Sequence, residues 1–77
     1  MPTILVVDGY RFFFYSNEGH EPAHIHIEKG DGIAKWWLDP ARKARSEGFS
    51  LAQRRRIRAI ILEHEAEFID AWNRYFR

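Results

Sequence analysis

The 77-residue sequence predicts an α+β fold: an antiparallel β-meander of about four strands, then a long or kinked C-terminal helical region. Three observations predict it. Short β-branched and aromatic runs fill the first half of the chain, separated by Asp8-Gly9 and by Lys29-Gly30-Asp31-Gly32. Asp39-Pro40 then ends the strand-like part, because proline cannot donate to a sheet ladder. Beyond Ser50 the apolar residues recur at helical spacing. The chain divides, within one domain, into a meander over 1–39, a connector over 40–49 and a helical part over 50–77.

The first strand is Thr3 to Val7, and Tyr10 to Tyr15 follows it. An Asp-Gly pair between two such runs is the strongest short-range hairpin signal, since a type I′ turn needs positive φ at both central residues. A polar loop, Ser16 to Ala23, carries Gly19 and Pro22 and leads to the third strand, His24 to Glu28. Ile33 to Leu38 is the fourth. Residues 40–49 form a basic connector ending at Gly48-Phe49. Ser50, with Gln53 three residues on, has the pattern of a capping box. Ile57, Ile60, Ile61, His64, Phe68, Ala71, Trp72 and Tyr75 then mark one helical stripe. An unbroken helix over ~27 residues would be roughly 40 Å long, unusual for so small a domain, so a break is expected near His64 to Ala66.

A chain this short buries only about 60% of its unfolded surface, so its core is marginal. It has no cysteine, which excludes disulfides and thiolate metal sites and fits a reducing compartment. No apolar run approaches the ~20 residues that span a bilayer. The start Met1-Pro2-Thr3-Ile4 lacks the pattern of a signal peptide. A soluble, bacterial-type cytoplasmic domain without a membrane role is the simplest reading. The net charge of +1 is unevenly spread. Residues 1–40 hold three Lys/Arg against six Asp/Glu, whereas residues 41–77 hold nine against five. The basic excess lies in Arg42-Lys43-Ala44-Arg45 and Arg54-Arg55-Arg56-Ile57-Arg58, and it favours an anionic partner, nucleic acid or acidic protein.

Phe12-Phe13-Phe14 and Trp36-Trp37 place large apolar groups on both faces of the sheet, yet one helix covers one face. Leu62, Ile69 and Phe76 also widen the apolar arc of the helix. Apolar surface on that scale marks an interaction site, and it implies a homodimer or an obligate protein partner.

His24-Ile25-His26-Ile27-Glu28 carries the chemistry. On a strand, successive side chains alternate between faces, so His24, His26 and Glu28 share one while Ile25 and Ile27 anchor the other. One reading makes His24 or His26 a general acid/base in a ribonuclease-type reaction on RNA. Such a reaction needs a cation beside the phosphate, supplied by Arg11, by Lys35 on the neighbouring strand or by Arg54 and Arg58, which share a side of the helix. In the same reading the Phe and Trp side chains stack bases. Arg56 lies toward Glu63 and Glu67 and is solvated, and His64 is a structural residue of the helix stripe. A second reading requires a divalent transition metal such as zinc, held by His24 and His26 with Glu28, or with His20 as the third ligand. A third needs no cofactor and makes the histidines polar surface of a non-catalytic protein-interaction module.

Four segments together resemble a widespread family of small bacterial proteins of unknown function. They are Met1-Pro2-Thr3-Ile4, Glu21-Pro22-Ala23-His24-Ile25-His26-Ile27-Glu28, Lys35-Trp36-Trp37-Leu38-Asp39-Pro40 and Ala71-Trp72-Asn73-Arg74-Tyr75-Phe76. The family's hallmark is a Pro-Pro-His-Ile/Phe-His-Val segment, in which Ala23 here replaces the second proline. Its members are often encoded beside another small protein, in pairs regarded as toxin–antitoxin modules. The resemblance therefore implies a component of such a pair that binds a cognate small protein, with RNA as the target if it is the toxin, and with His24 and His26 as the residues to watch.

Overall fold

Asp8 and Gly9 have φ of 53° and 81°, the two left-handed conformations of a type I′ hairpin, and they join β1 (Thr3–Val7) to β2 (Tyr10–Phe13). The computed structural model describes residues 3–76. Met1 and Pro2 of the N-terminal segment, and Arg77 at the end of the expected helical region, lie outside the described residues. After the loop 14–23 come β3 (His24–Lys29) and β4 (Gly32–Trp37). Each strand pairs antiparallel with the one before it, which makes the sheet a meander.

The meander has five strands among the described residues. Residues 42–47, expected to lie in a connector, form β5 (Arg42–Glu47) against β4. Asp39-Pro40 therefore turns the chain within the sheet instead of ending it. The reason is that β5 is an edge strand, with all but Ser46 exposed, so its stability comes from backbone pairing and leaves no apolar alternation to read. Its Arg and Lys side chains also discourage edge-to-edge association.

The capping box is formed at the start of α1 (Leu51–Glu63). Ser50 Oγ accepts from the Gln53 amide at 3.1 Å, and Gln53 Oε1 accepts from the Ser50 amide at 2.8 Å. The helical region breaks at His64, where α2 (Glu65–Tyr75) begins. Both helices pack on one face of the sheet. Ile57, Ile60, Ile61, Phe68 and Trp72 meet Phe12, Phe14, Ile25, Ile27 and Trp36 there. Phe12 and Phe68 stack at 5.3 Å between ring centres, and Trp72 meets the Phe14 ring edge-on at 5.3 Å. Ile69 and Phe76 join this core from the side, while Leu62 and Tyr75 remain exposed.

The second sheet face is apolar in part, but the chain closes much of it itself. Phe13 is only 3% exposed, beneath the Arg11 guanidinium at 4.2 Å and beside the rings of Tyr15 and His26. Lys35 Nζ lies 4.5 Å above Trp37. The apolar side chains left exposed, among them Val6, Ile33 and Leu51, are spread over different elements. No helix among the described residues is long and apolar enough to cross a membrane.

Candidate functional site: a histidine pair and a basic cleft on the open sheet face

Residues directly opposite each other on antiparallel strands project to the same side of the sheet. Register therefore builds three rows across the face away from the helices. Phe13, His26, Lys35 and Arg45 form one row, His24, Trp37 and Arg42 the next, and Arg11, Glu28, Ile33 and Glu47 the third. The alternate residues Phe12, Ile25, Ile27, Ala34 and Trp36 face the core, which fixes the register against slippage. Lys35 is thus brought opposite His26, as the pairing of the third and fourth strands implied.

Loop 14–23 closes over one end of this face. It is seated by Gly19, where a β-carbon would come 2.6 Å from Cδ1 of Phe76, so only glycine lets the backbone approach the ring this closely. The neighbouring Glu18 then reaches both histidines with one oxygen. Its Oε1 lies 2.9 Å from His24 Nε2 and 2.7 Å from His26 Nε2. On the far side of the His24 ring, Nδ1 lies 3.0 Å from the Pro22 carbonyl oxygen and donates to it. His24 is wholly buried against Trp72 and Trp37, and His26 is nearly so.

Burial pulls the His26 imidazole below its ordinary range, and the hydrogen bond to Glu18 opposes that only in part. Burial alone would raise the Glu18 carboxyl, but the His24 and His26 imidazoles at 2.9 and 2.7 Å outweigh it and hold Glu18 low. Glu21 is also held low, by the hydrogen bond that Lys35 Nζ donates at 2.7 Å.

Glu28 shares the face of the histidines but not their cluster. Its carboxylate accepts from Arg11 Nη1 at 2.6 Å, one row away. The carboxylate that meets the histidines is Glu18, and the three ligand atoms of Glu18, His24 and His26 lie within 4.8 Å of one another. His20 is exposed and stands outside the cluster. Arg11 also donates from Nε to Thr3 Oγ1 at 2.8 Å, so its guanidinium is held beside Glu28.

Arg54 and Arg58 do not reach this face, since α1 packs on the opposite one. Arg54 Nη1 donates to the Phe49 carbonyl at 2.8 Å, and Arg58 is exposed. Arg56, expected to point toward Glu63 and Glu67, instead pairs with Asp8 through Nε at 2.9 Å and ties α1 to the first hairpin. His64 is half-buried and bonded to Glu67 at 2.9 Å, consistent with a structural role.

Beside the histidines opens a cleft of about 420 Å³, lined by Glu18, His26, Lys35, Trp37, Ala44 and Arg45. Sequence reasoning assigned neither Glu18 nor Arg45 to a site. Glu18 sits in an aperiodic loop, where only its nearness to Gly19 and to the His-x-His segment hints at a role. Arg45 needed β5 to be recognised, since it is the register with Lys35 that carries it to the cleft.

Fold and site together define a small α+β domain with two histidines and one carboxylate converging on the open face of its sheet. The chain belongs to the family described as a domain of unknown function (DUF4160), whose model matches residues 9–73. That span includes the loop, the histidine pair and the cleft. No significant match is found among curated proteins or among solved structures.

Proposed function

We propose that the chain binds RNA through the open face of its sheet, as the RNA-directed component of a toxin–antitoxin-like pair that a cognate small protein restrains. The observation that carries this reading is the cleft, where Arg45 stands opposite Lys35 beside the half-buried Trp37, with Lys35 over the Trp37 ring and paired to Glu21. Register adds Arg42 to the same face. Among the described residues, Arg42 and Arg45 enter none of the ion pairs, so their charge is available to phosphates. A track of cations beside an aromatic ring is the arrangement that holds single-stranded nucleic acid without demanding a sequence.

The geometry favours binding over metal-free acid–base cleavage. His24 is buried away from any substrate, and His26 turns Nε2 toward Glu18 and not into the cleft. The pairing with a cognate protein rests on the family resemblance. Charge supports it, because an acidic small protein would compete with RNA for Arg42 and Arg45.

Expression of the chain in a bacterium, with and without its neighbouring gene, tests the reading. The expected result is growth arrest that the neighbour relieves and that Arg42→Ala/Arg45→Ala weakens. Normal growth in both cases contradicts the pair, and arrest unchanged in the double variant places the RNA-binding surface elsewhere.

A further inference from the structure

The Glu18, His24 and His26 side chains pose a problem of protons. A neutral imidazole carries one N–H and one lone pair. The Pro22 carbonyl 3.0 Å from His24 Nδ1 claims the N–H on that side, which turns a lone pair on Nε2 toward Glu18 Oε1. His26 Nε2 faces the same oxygen. A carboxylate oxygen and two imidazole nitrogens thus converge on one point in a poorly hydrated corner of the sheet, and a positive centre must sit among them. His26 can donate its one N–H to that oxygen, so the deficit lies at His24; an extra proton on the His24 ring would serve, and so would a cation.

We propose that Glu18, His24 and His26 form a binding site for a divalent transition-metal ion, with Nε2 of each histidine and a carboxylate oxygen of Glu18 as the three protein ligands. Donor chemistry selects the ion. Two imidazoles and a carboxylate, with no sulfur, suit zinc and its first-row neighbours and not magnesium or calcium, which take oxygen. The surroundings match what such sites require. A ligating histidine usually donates its other ring N–H to a carbonyl or carboxylate, which sets ring orientation and tautomer, and the Pro22 carbonyl does this for His24. Tetrahedral ligands of zinc stand about 3.3 Å apart. The Nε2–Oε1 distances of 2.9 and 2.7 Å need a small widening to admit the ion, and the three ligand atoms already lie within 4.8 Å of one another, so side-chain rotation closes the set.

Access is one-sided. His24 is sealed against Trp72, while Glu18 and His26 form the wall of the cleft. A remaining coordination position would therefore open toward Lys35, Trp37 and Arg45, where an anionic oxygen of a ligand can enter. This set differs from the His24, His26 and Glu28 combination suggested by strand alternation, because Arg11 holds Glu28. The proposal does not depend on RNA binding.

The test uses the full chain, freed of metal with a chelator and titrated with zinc alone. The expected result is one zinc per chain and a raised melting temperature, with no such response to magnesium. In nitrogen-detected NMR, zinc should shift Nε2 of both His24 and His26. Glu18→Gln, which keeps the size of a side chain on a surface loop, should weaken binding by about tenfold or more, whereas Glu28→Gln should leave it unchanged. Glu18→Gln changes a loop residue and leaves both β3 histidines in the chain, so the result stands even if a His24 variant fails to fold. The proposal is overturned if the folded wild-type chain shows no saturable zinc binding, if Glu18→Gln binds as tightly as wild type, or if zinc shifts His20 or His64 in place of the strand histidines.

Discussion

Gly19 lies against the Phe76 ring with no room for a methyl group, and this contact between a loop and the end of α2 sets the position of Glu18. The helix that builds the core thereby also places the carboxylate that joins His24 and His26. Gly19 and Phe76 lie far apart in the sequence, yet the loop, the sheet and the C-terminal helix form one mechanical unit at this corner.

Gly19→Ala is therefore expected to destabilise the chain by about 1–3 kcal/mol, the usual cost of overpacking, and to pull Glu18 from the histidines. Thermal melting measures the first effect and the histidine NMR resonances the second. Unchanged His24 and His26 resonances in a destabilised variant would show that the loop holds Glu18 by some other contact.

Acid should weaken the metal-free chain in two stages. His26 is depressed by burial, so between its unfolded value of about 6.5 and its lower folded value the unfolded state binds more protons. Stability from this group is present above roughly pH 6.5 and is lost as pH falls through the folded value. Glu18 is depressed too, so its contribution is present above about pH 4.3 and is lost below, through its own folded value. Glu21, lowered by Lys35, acts in the same lower window. Melting temperature against pH should show both declines. His26→Gln should remove the upper one, while Glu18→Gln should shrink the lower one without abolishing it.

The helices supply a check on the packing account. Phe68→Ala opens a hole under the Phe12 ring and should cost about 3–5 kcal/mol, enough to unfold much of a domain this small. Ser50→Ala removes the cap of α1 and should cost about 1 kcal/mol. Leu62→Ala, on an exposed position, should change stability by less than about 0.5 kcal/mol. Urea denaturation orders the three, and a Leu62→Ala cost as large as that of Phe68→Ala would mean that Leu62 is covered in solution.

What the sequence discloses follows the physical origin of each feature. Asp8-Gly9, the capping box and the apolar stripe of the helices are local or periodic signals, and the structure contains all of them except the stripe's last residue, Tyr75, which is exposed. The break was legible near His64 because an uninterrupted C-terminal helix would be unusually long for so small a domain. β5 was hidden, because an edge strand of exposed Arg, Lys and Glu buries no face and so shows no alternation. The pairing of His26 with Lys35 followed from strand order, but the choice between Glu28 and Glu18 did not. Glu28 has the correct parity and is taken by Arg11, while Glu18 arrives through a loop whose path depends on Phe76. The covering of Phe13 by Arg11 and of Trp37 by Lys35 likewise depends on cross-strand neighbours, which made the second sheet face look more naked than it is.

The open face as an RNA-binding surface is the central claim, and the salt dependence of binding tests it most directly. Fluorescence anisotropy with a labelled single-stranded oligoribonucleotide, measured across a series of salt concentrations, gives the slope of log affinity against log salt. On a single strand each phosphate neutralised by a cation adds about 0.7 to the steepness of that slope, so Arg42→Ala/Arg45→Ala should flatten it by about 1.4 and weaken binding at low salt. An equal change from Arg54→Ala/Arg58→Ala, on the opposite face, with none from the β5 pair, would contradict the account, as would the absence of measurable RNA binding by the wild-type chain.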